Sequence, residues 1–152
     1  MRSDGTSDDV STVRAAAAAE VPRIVMLLGQ LGYEVTFDFV RSRLDAIARS
    51  ATDRCFVVER NGTVRGVIAV HLIALFHKTA NLARITALVV EEEARGTGCG
   101  RALLRAVETF AESTQCSRLE VTSGSARLAA HEFYEKNGYV RSDQRFVRPL
   151  KA

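Results

Sequence analysis

The stretch Arg95-Gly96-Thr97-Gly98-Cys99-Gly100 sets three glycines at alternate positions behind an arginine, directly after an apolar run ending in Leu88-Val89-Val90 and a short acidic segment. A strand that turns through glycines into a helix presents several main-chain N–H groups at the positive end of the helix dipole, unobstructed by side chains. That is phosphate-binding chemistry. The glycines allow the unusual dihedrals and close approach that a pyrophosphate requires; Arg95 adds a charged contact at the entrance, and Arg101 stands at the head of the following helix. The plain alternative is a glycine turn used for tight packing. A P-loop is excluded, because Gly100 is followed by Arg101 and Ala102 rather than Lys and Ser or Thr. A dinucleotide fingerprint would need glycine at position 101, and antiparallel hairpins before the loop leave no room for the second half of such a sheet. Glu120, about 20 positions on where a ribose ligand would stand, does not rescue that reading.

A second constellation is Phe133-Tyr134-Glu135-Lys136-Asn137-Gly138-Tyr139. Tyr134 carries a phenol that can donate a proton, although Ala130, Phe133 and Tyr134 share a helical spacing that also suits core aromatics. Cys99 lies near a helix start, where thiols become more acidic. Its position inside the phosphate loop discounts it as a nucleophile. The acidic Glu91-Glu92-Glu93 reads most simply as a solvated loop.

These residues need a frame. Val13 to Ala16 suits a short strand. Glu20 to Leu31 carries Ile24, Leu27, Leu28 and Leu31 at helical spacing, with Pro22 tolerated in the first turn and Gly32 closing it. Thr36 caps a second helix with Phe39, Val40, Leu44 and Ile47 on one face. Cys55 to Glu59 and Val64 to Phe76 read as strands joined at Asn61-Gly62, a strong hairpin signal. Lys78 to Asn81 turns into a strand over Leu82 to Val90. A helix over Gly98 to Gln115 leads to a strand at Leu119 to Thr122, so these last two strands should be parallel through a right-handed crossover. Arg127 to Asn137 forms a further helix capped by Gly138, with closing strands expected at Tyr139 to Val140 and Phe146 to Leu150.

A chain of 152 residues is long enough to bury a real core without a metal or disulfide staple. Residues 1–11 are polar and aperiodic and read as a disordered lead-in without a secretory pattern; residues 12–152 read as one domain. The three cysteines are odd in number and widely spaced, which fits reduced thiols in a cytoplasm and neither a disulfide framework nor a metal site. The net charge of +3 comes from scattered arginines. It suits anionic ligands and lacks the clustering and interleaved aromatics of a nucleic-acid surface. No apolar run approaches the roughly 20 residues of a membrane-spanning helix.

Arg95-x-x-Gly98-x-Gly100 after a strand, then a helix, a strand and the motif around Tyr134, resembles the GNAT superfamily of N-acetyltransferases. The resemblance covers the element order from Val13 onward and is sharpest from Leu82 to Tyr139. It implies an α+β fold: a mixed, mostly antiparallel sheet of six to seven strands flanked by about four helices, with a splayed parallel pair holding acetyl-CoA. The first motif, Arg95, Gly96, Thr97, Gly98, Cys99, Gly100 and Arg101, would then bind the pyrophosphate. The main chain of Leu88 and Val90 on the preceding strand would bind the pantetheine arm, and N–H groups among Leu88, Val89 and Val90 would steady the developing oxyanion. Tyr134 would protonate the leaving thiolate, with no covalent enzyme intermediate. Arg127 stands where many relatives carry asparagine, which leaves its contact with coenzyme A open. The base is not legible: His71 and Glu120 lead, His77 and His131 follow, and for each histidine a structural role is the simpler reading. The acceptor would be a small-molecule amine, with a protein amino group also open. A homodimer is an analogy from such families only. A catalytically silent acyl-CoA sensor of the same fold is the alternative.

Overall fold

The computed structural model describes residues 10–122, 128–142 and 145–151. Most of the lead-in, and Arg127, lie outside the described residues. The chain divides into two compact units at Thr122/Ser123.

The first unit is built on five strands, β1 (Ser11–Ala15), β2 (Asp53–Arg60), β3 (Thr63–Ala74), β4 (Asn81–Val90) and β5 (Cys116–Val121), lying side by side in chain order. Local chemistry explains the first pairings. Asn61 and Gly62 both take positive φ, 52° and 77°, which matches the twist of a tight hairpin and sets Arg60 opposite Thr63. β1 to β4 pair antiparallel, whereas β4 and β5 are parallel. The connection between them is α3 (Cys99–Ser113), because parallel neighbours need a crossover.

α1 (Val21–Gln30) accepts Pro22 in its first turn, where the missing N–H costs nothing. It ends in a Schellman motif: Tyr33 N–H donates to Leu28 O at 3.0 Å around Gly32, whose φ is 92°. α2 (Phe37–Ala48) starts at Thr36, whose Oγ1 accepts from Phe39 N at 3.1 Å. Ile24, Leu27, Val40 and Leu44 pack with Cys55, Val57, Val67 and Val89 in one buried cluster on a single face of the sheet. α3 covers the other face with Leu103, Leu104 and Val107. Gly66 explains the close fit there: a Cβ would come within 2.9 Å of Val89 O and 3.1 Å of Leu103 Cδ1. Side chains such as Leu27, Ile68 and Leu103 each contribute about 1.5–3 kcal/mol by burial, more than a turn residue can, so the two covered faces hold the strands.

The second unit contains α4 (Leu128–Lys136). It too ends in a Schellman arrangement, with Tyr139 N donating to Tyr134 O at 3.0 Å and Gly138 at φ 90°. The strands expected at 139–140 and 146–150 do not form, so the sheet has five strands among the described residues and not six or seven. Val140, Phe146 and Leu150 are exposed. Apolar, β-prone composition does not by itself make a strand, which also needs a partner edge and a covering layer.

Candidate functional site

The loop after β4 begins with a single 3-10 turn, Glu92–Ala94, and then opens at Arg95. Gly96 and Gly98 take φ values of 78° and 91°, and a Cβ on either would meet nothing within 4 Å. The backbone conformation, not crowding, demands glycine here, and the space in front of the loop is open. Gly98 is the N-cap of α3 and supplies no side-chain cap; the first helical bond runs from Ala102 N to Gly98 O at 3.0 Å. The N–H groups of Cys99, Gly100 and Arg101 therefore have no acceptor within the helix, and they sit at the positive end of a 15-residue dipole. The loop is braced from behind. Thr97 Oγ1 donates to Ala94 O, and it lies 3.4 Å from Cys99 Sγ. Cys99 is fully buried at 0% exposure, so it offers main chain to the outside and its thiol is not available as a nucleophile. Arg95 and Arg101 are exposed.

β4 supplies the second part. Its pairing with β5 ends at Ile85 opposite Val121, while pairing with β3 continues to Val90. Residues 86–90 thus have a sheet neighbour on one side and no β5 partner on the other. Glu91 N donates to Arg65 O at 2.7 Å. Antiparallel alternation from that bond turns the main chain of Val89 toward β3 and those of Leu88 and Val90 toward the vacated side. Leu88 and Val90, expected to bind the pantetheine arm, reach the open edge; Val89 is buried in the core cluster.

The acidic run is not simply a solvated loop. Glu92 and Glu93 are exposed, but Glu91 is buried, and its Oε2 accepts from Arg65 Nη1 at 2.6 Å and Arg23 Nη2 at 3.1 Å. Arg23 also donates to Val64 O. Continuing the β4 register by one residue carries Glu91 inward between α1 and β3, and this anchors the loop entrance. The hydrogen bond from Arg65, with the charges of Arg23 and Arg65, holds its carboxyl below the ordinary carboxylate range against the opposing effect of burial. A carboxyl lowered in the folded state stabilises fully above its unfolded value near ~4.3 and loses that contribution as pH falls through the lower folded value. The urea midpoint should therefore drop on acidification below that range, and Glu91→Gln should flatten the drop. An unchanged pH slope in the variant would remove Glu91 from the account.

The expected base residues fall on different elements. His71 on β3 faces Asp53 of β2, Nδ1 to Oδ1 at 2.5 Å. Glu120 on β5 bridges Arg84 at 3.2 Å and Arg118 at 2.8 Å. His77 is exposed beyond the end of β3, and His131 on α4 has its Nδ1 3.2 Å from Arg141 Nη2. Tyr134 is partly buried on α4, with its ring 5.4 Å from Phe133 and 5.8 Å from Tyr139. Sequence reasoning passed over Arg23, Arg65, Asp53 and Arg84, and no local signal marks them, because each acquires its partner through strand register or helix packing.

A glycine-lined, uncapped helix start beside a parting strand pair in this mixed sheet defines an acyltransferase frame. The sequence model of the Acetyltransferase (GNAT) family matches residues 26–139, and the chain belongs to that family. An aminoalkylphosphonate N-acetyltransferase of Salmonella typhimurium is 34% identical over 91 residues, 60% of this chain and 59% of that protein, so the match spans less than two thirds of the curated relative. A GNAT family acetyltransferase of Staphylococcus aureus superposes with TM-score 0.76 at 22% identity over 92% of this chain and 98% of its own. An aminoglycoside N-acetyltransferase in complex with CoA superposes with TM-score 0.82 at 12% identity, covering 94% and 96%. At these identities the two structures speak for the fold. Among the described residues no helix is long and apolar enough to cross a membrane.

Proposed function

We propose that the protein is an acetyl-CoA-dependent N-acetyltransferase that moves the acetyl group to a primary amine of a small molecule by direct attack. The observation that carries this reading is the open, uncapped start of α3 at Gly98 following a β4 edge whose Leu88 and Val90 main chains lack a strand partner. An anion suits the first and an amide-bearing pantetheine arm suits the second, since both offer main-chain groups that burial by a ligand would otherwise leave unsatisfied. Gly96, Gly98, Gly100 and the main chains of Thr97, Cys99 and Arg101 hold the pyrophosphate, with Arg95 adding charge. Leu88 and Val90 orient the arm, and an N–H of this edge steadies the thioester oxygen as charge develops. Tyr134 is the proton donor to the thiolate. Arg127 is left as a further phosphate contact.

We put amines carrying a phosphonate first among the acceptors to be tried, on the strength of the Salmonella relative's name alone, ahead of amino acids, aminoglycosides and lysine peptides. A thiol-release assay with acetyl-CoA against that panel tests the proposal. At least one small amine should be turned over, and acetyl-CoA should raise Tm. Stabilisation by acetyl-CoA without thiol release from any amine would replace the enzyme with an acyl-CoA sensor of the same fold.

A further inference from the structure

We infer that His71, oriented by Asp53, is the base that takes the acceptor's proton; this rests on the acetyl-transfer reading above. Strand register sets four side chains in one row across the sheet: Asp53 opposite His71, His71 opposite Arg84, and Arg84 opposite Glu120. Directly opposed residues share a face. Asp53 alternates with Cys55 and Val57, so the face is the one covered further along by α1 and α2. α3 occupies the other face, where Arg54 lies 5.1 Å over the Phe110 ring. The row itself remains open, with His71 and Arg84 side chains 43% and 47% exposed.

Its position matters. Arg84 and Glu120 sit one residue before Ile85 and Val121, the last pair joining β4 to β5. A thioester held on the β4 edge just past that pair is screened by α3 on one face, so an amine must come from the face that carries the row. His71 lies on β3 three residues, ~10 Å, from Ile68, the partner of Leu88, and one strand spacing to the side of the β4 edge, a span for the amine and a short water chain.

Within the row one group can accept a proton from the amine. Arg84 cannot. Both oxygens of Glu120 are taken by guanidinium donors, Arg84 and Arg118. Asp53 Oδ2 accepts from Ser50 Oγ at 3.0 Å and Oδ1 meets His71. Because a carboxylate accepts, His71 Nδ1 carries the proton and Nε2 presents its lone pair; Nε2 has no hydrogen-bond partner among the described residues. Asp53 is a positioning residue. It fixes the tautomer and holds the ring's orientation.

The proton balance closes. An ammonium acceptor loses two protons on becoming an amide: one passes through Nε2 of His71 to solvent and the other reaches the departing thiolate. The N–C bond forms as the C–S bond breaks, and nothing is oxidised or reduced.

The test is kcat/KM against pH with aminoethylphosphonate, or with the fastest amine of the panel if that one is not turned over. His71→Gln should lower kcat about 100-fold and remove the fall on the acid side, leaving the acetyl-CoA thermal shift intact. Asp53→Asn should lower kcat, because the ring is no longer held with its proton on Nδ1, and Asp53→Glu should restore part of the rate. Added imidazole should partly rescue His71→Ala. A His71→Gln enzyme with wild-type rate and acid limb overturns the inference while the acetyl-transfer reading stands. Wild-type protein that releases no thiol with any amine overturns both.

Discussion

Gly98→Glu is expected to abolish the thermal stabilisation that acetyl-CoA confers. With ligand at a hundredfold its Kd, stabilisation is about 2.7 kcal/mol, which for a domain of this size raises Tm by roughly 5–10 °C. The substitution acts twice. Its backbone must hold φ near 91°, a region that costs an L-residue about 1–2 kcal/mol. Its carboxylate then projects into the open space in front of the α3 N-terminus, where charge repulsion with a phosphate ~4 Å away amounts to about 4 kcal/mol at a surface-like effective dielectric. Gly98→Ala separates the two effects. A Cβ there meets nothing within 4 Å, so the alanine protein should melt lower than wild type and still respond to acetyl-CoA. Should the glutamate variant be stabilised as much as wild type, the loop does not hold the coenzyme.

Tyr134→Phe is expected to lower kcat by about 100-fold with little change in coenzyme affinity, the range for removing a positioned general acid. A phenol ordinarily titrates near ~10 and a thiol near ~8.5, so a phenol that stays protonated at neutral pH can meet a developing thiolate with a hydrogen bond. Phenylalanine keeps the ring that packs against Phe133 and Tyr139, which confines the change to the hydroxyl. Undiminished turnover would show that another group, or solvent, protonates the sulfur.

The residues that the sequence made legible are those whose conformations are decided within a few positions of the chain. Asn61-Gly62 turns a hairpin, Thr36 caps α2, and Gly32 and Gly138 end helices, all through φ preferences or a bond to a near neighbour. The glycine loop belongs with them. The reading failed where a distant partner decides. Tyr139 to Val140 and Phe146 to Leu150 have strand-like composition and form no strand. Glu91 looks like its acidic neighbours until Arg23 and Arg65, from two other elements, meet it.

From composition, spacing and local chemistry alone, the chain determined its helices, its hairpin, the glycine turn and the family those motifs resemble. Tertiary structure alone decided that β5 leaves β4 after Ile85, so that an edge is vacated beside Leu88 and Val90, and that Asp53, His71, Arg84 and Glu120 stand in one row. The reason is the two-residue period of a strand: one step of register exchanges the faces of every side chain and the directions of every main-chain group. That register is set by side-chain packing across strands far apart in the chain, beyond the reach of any local pattern.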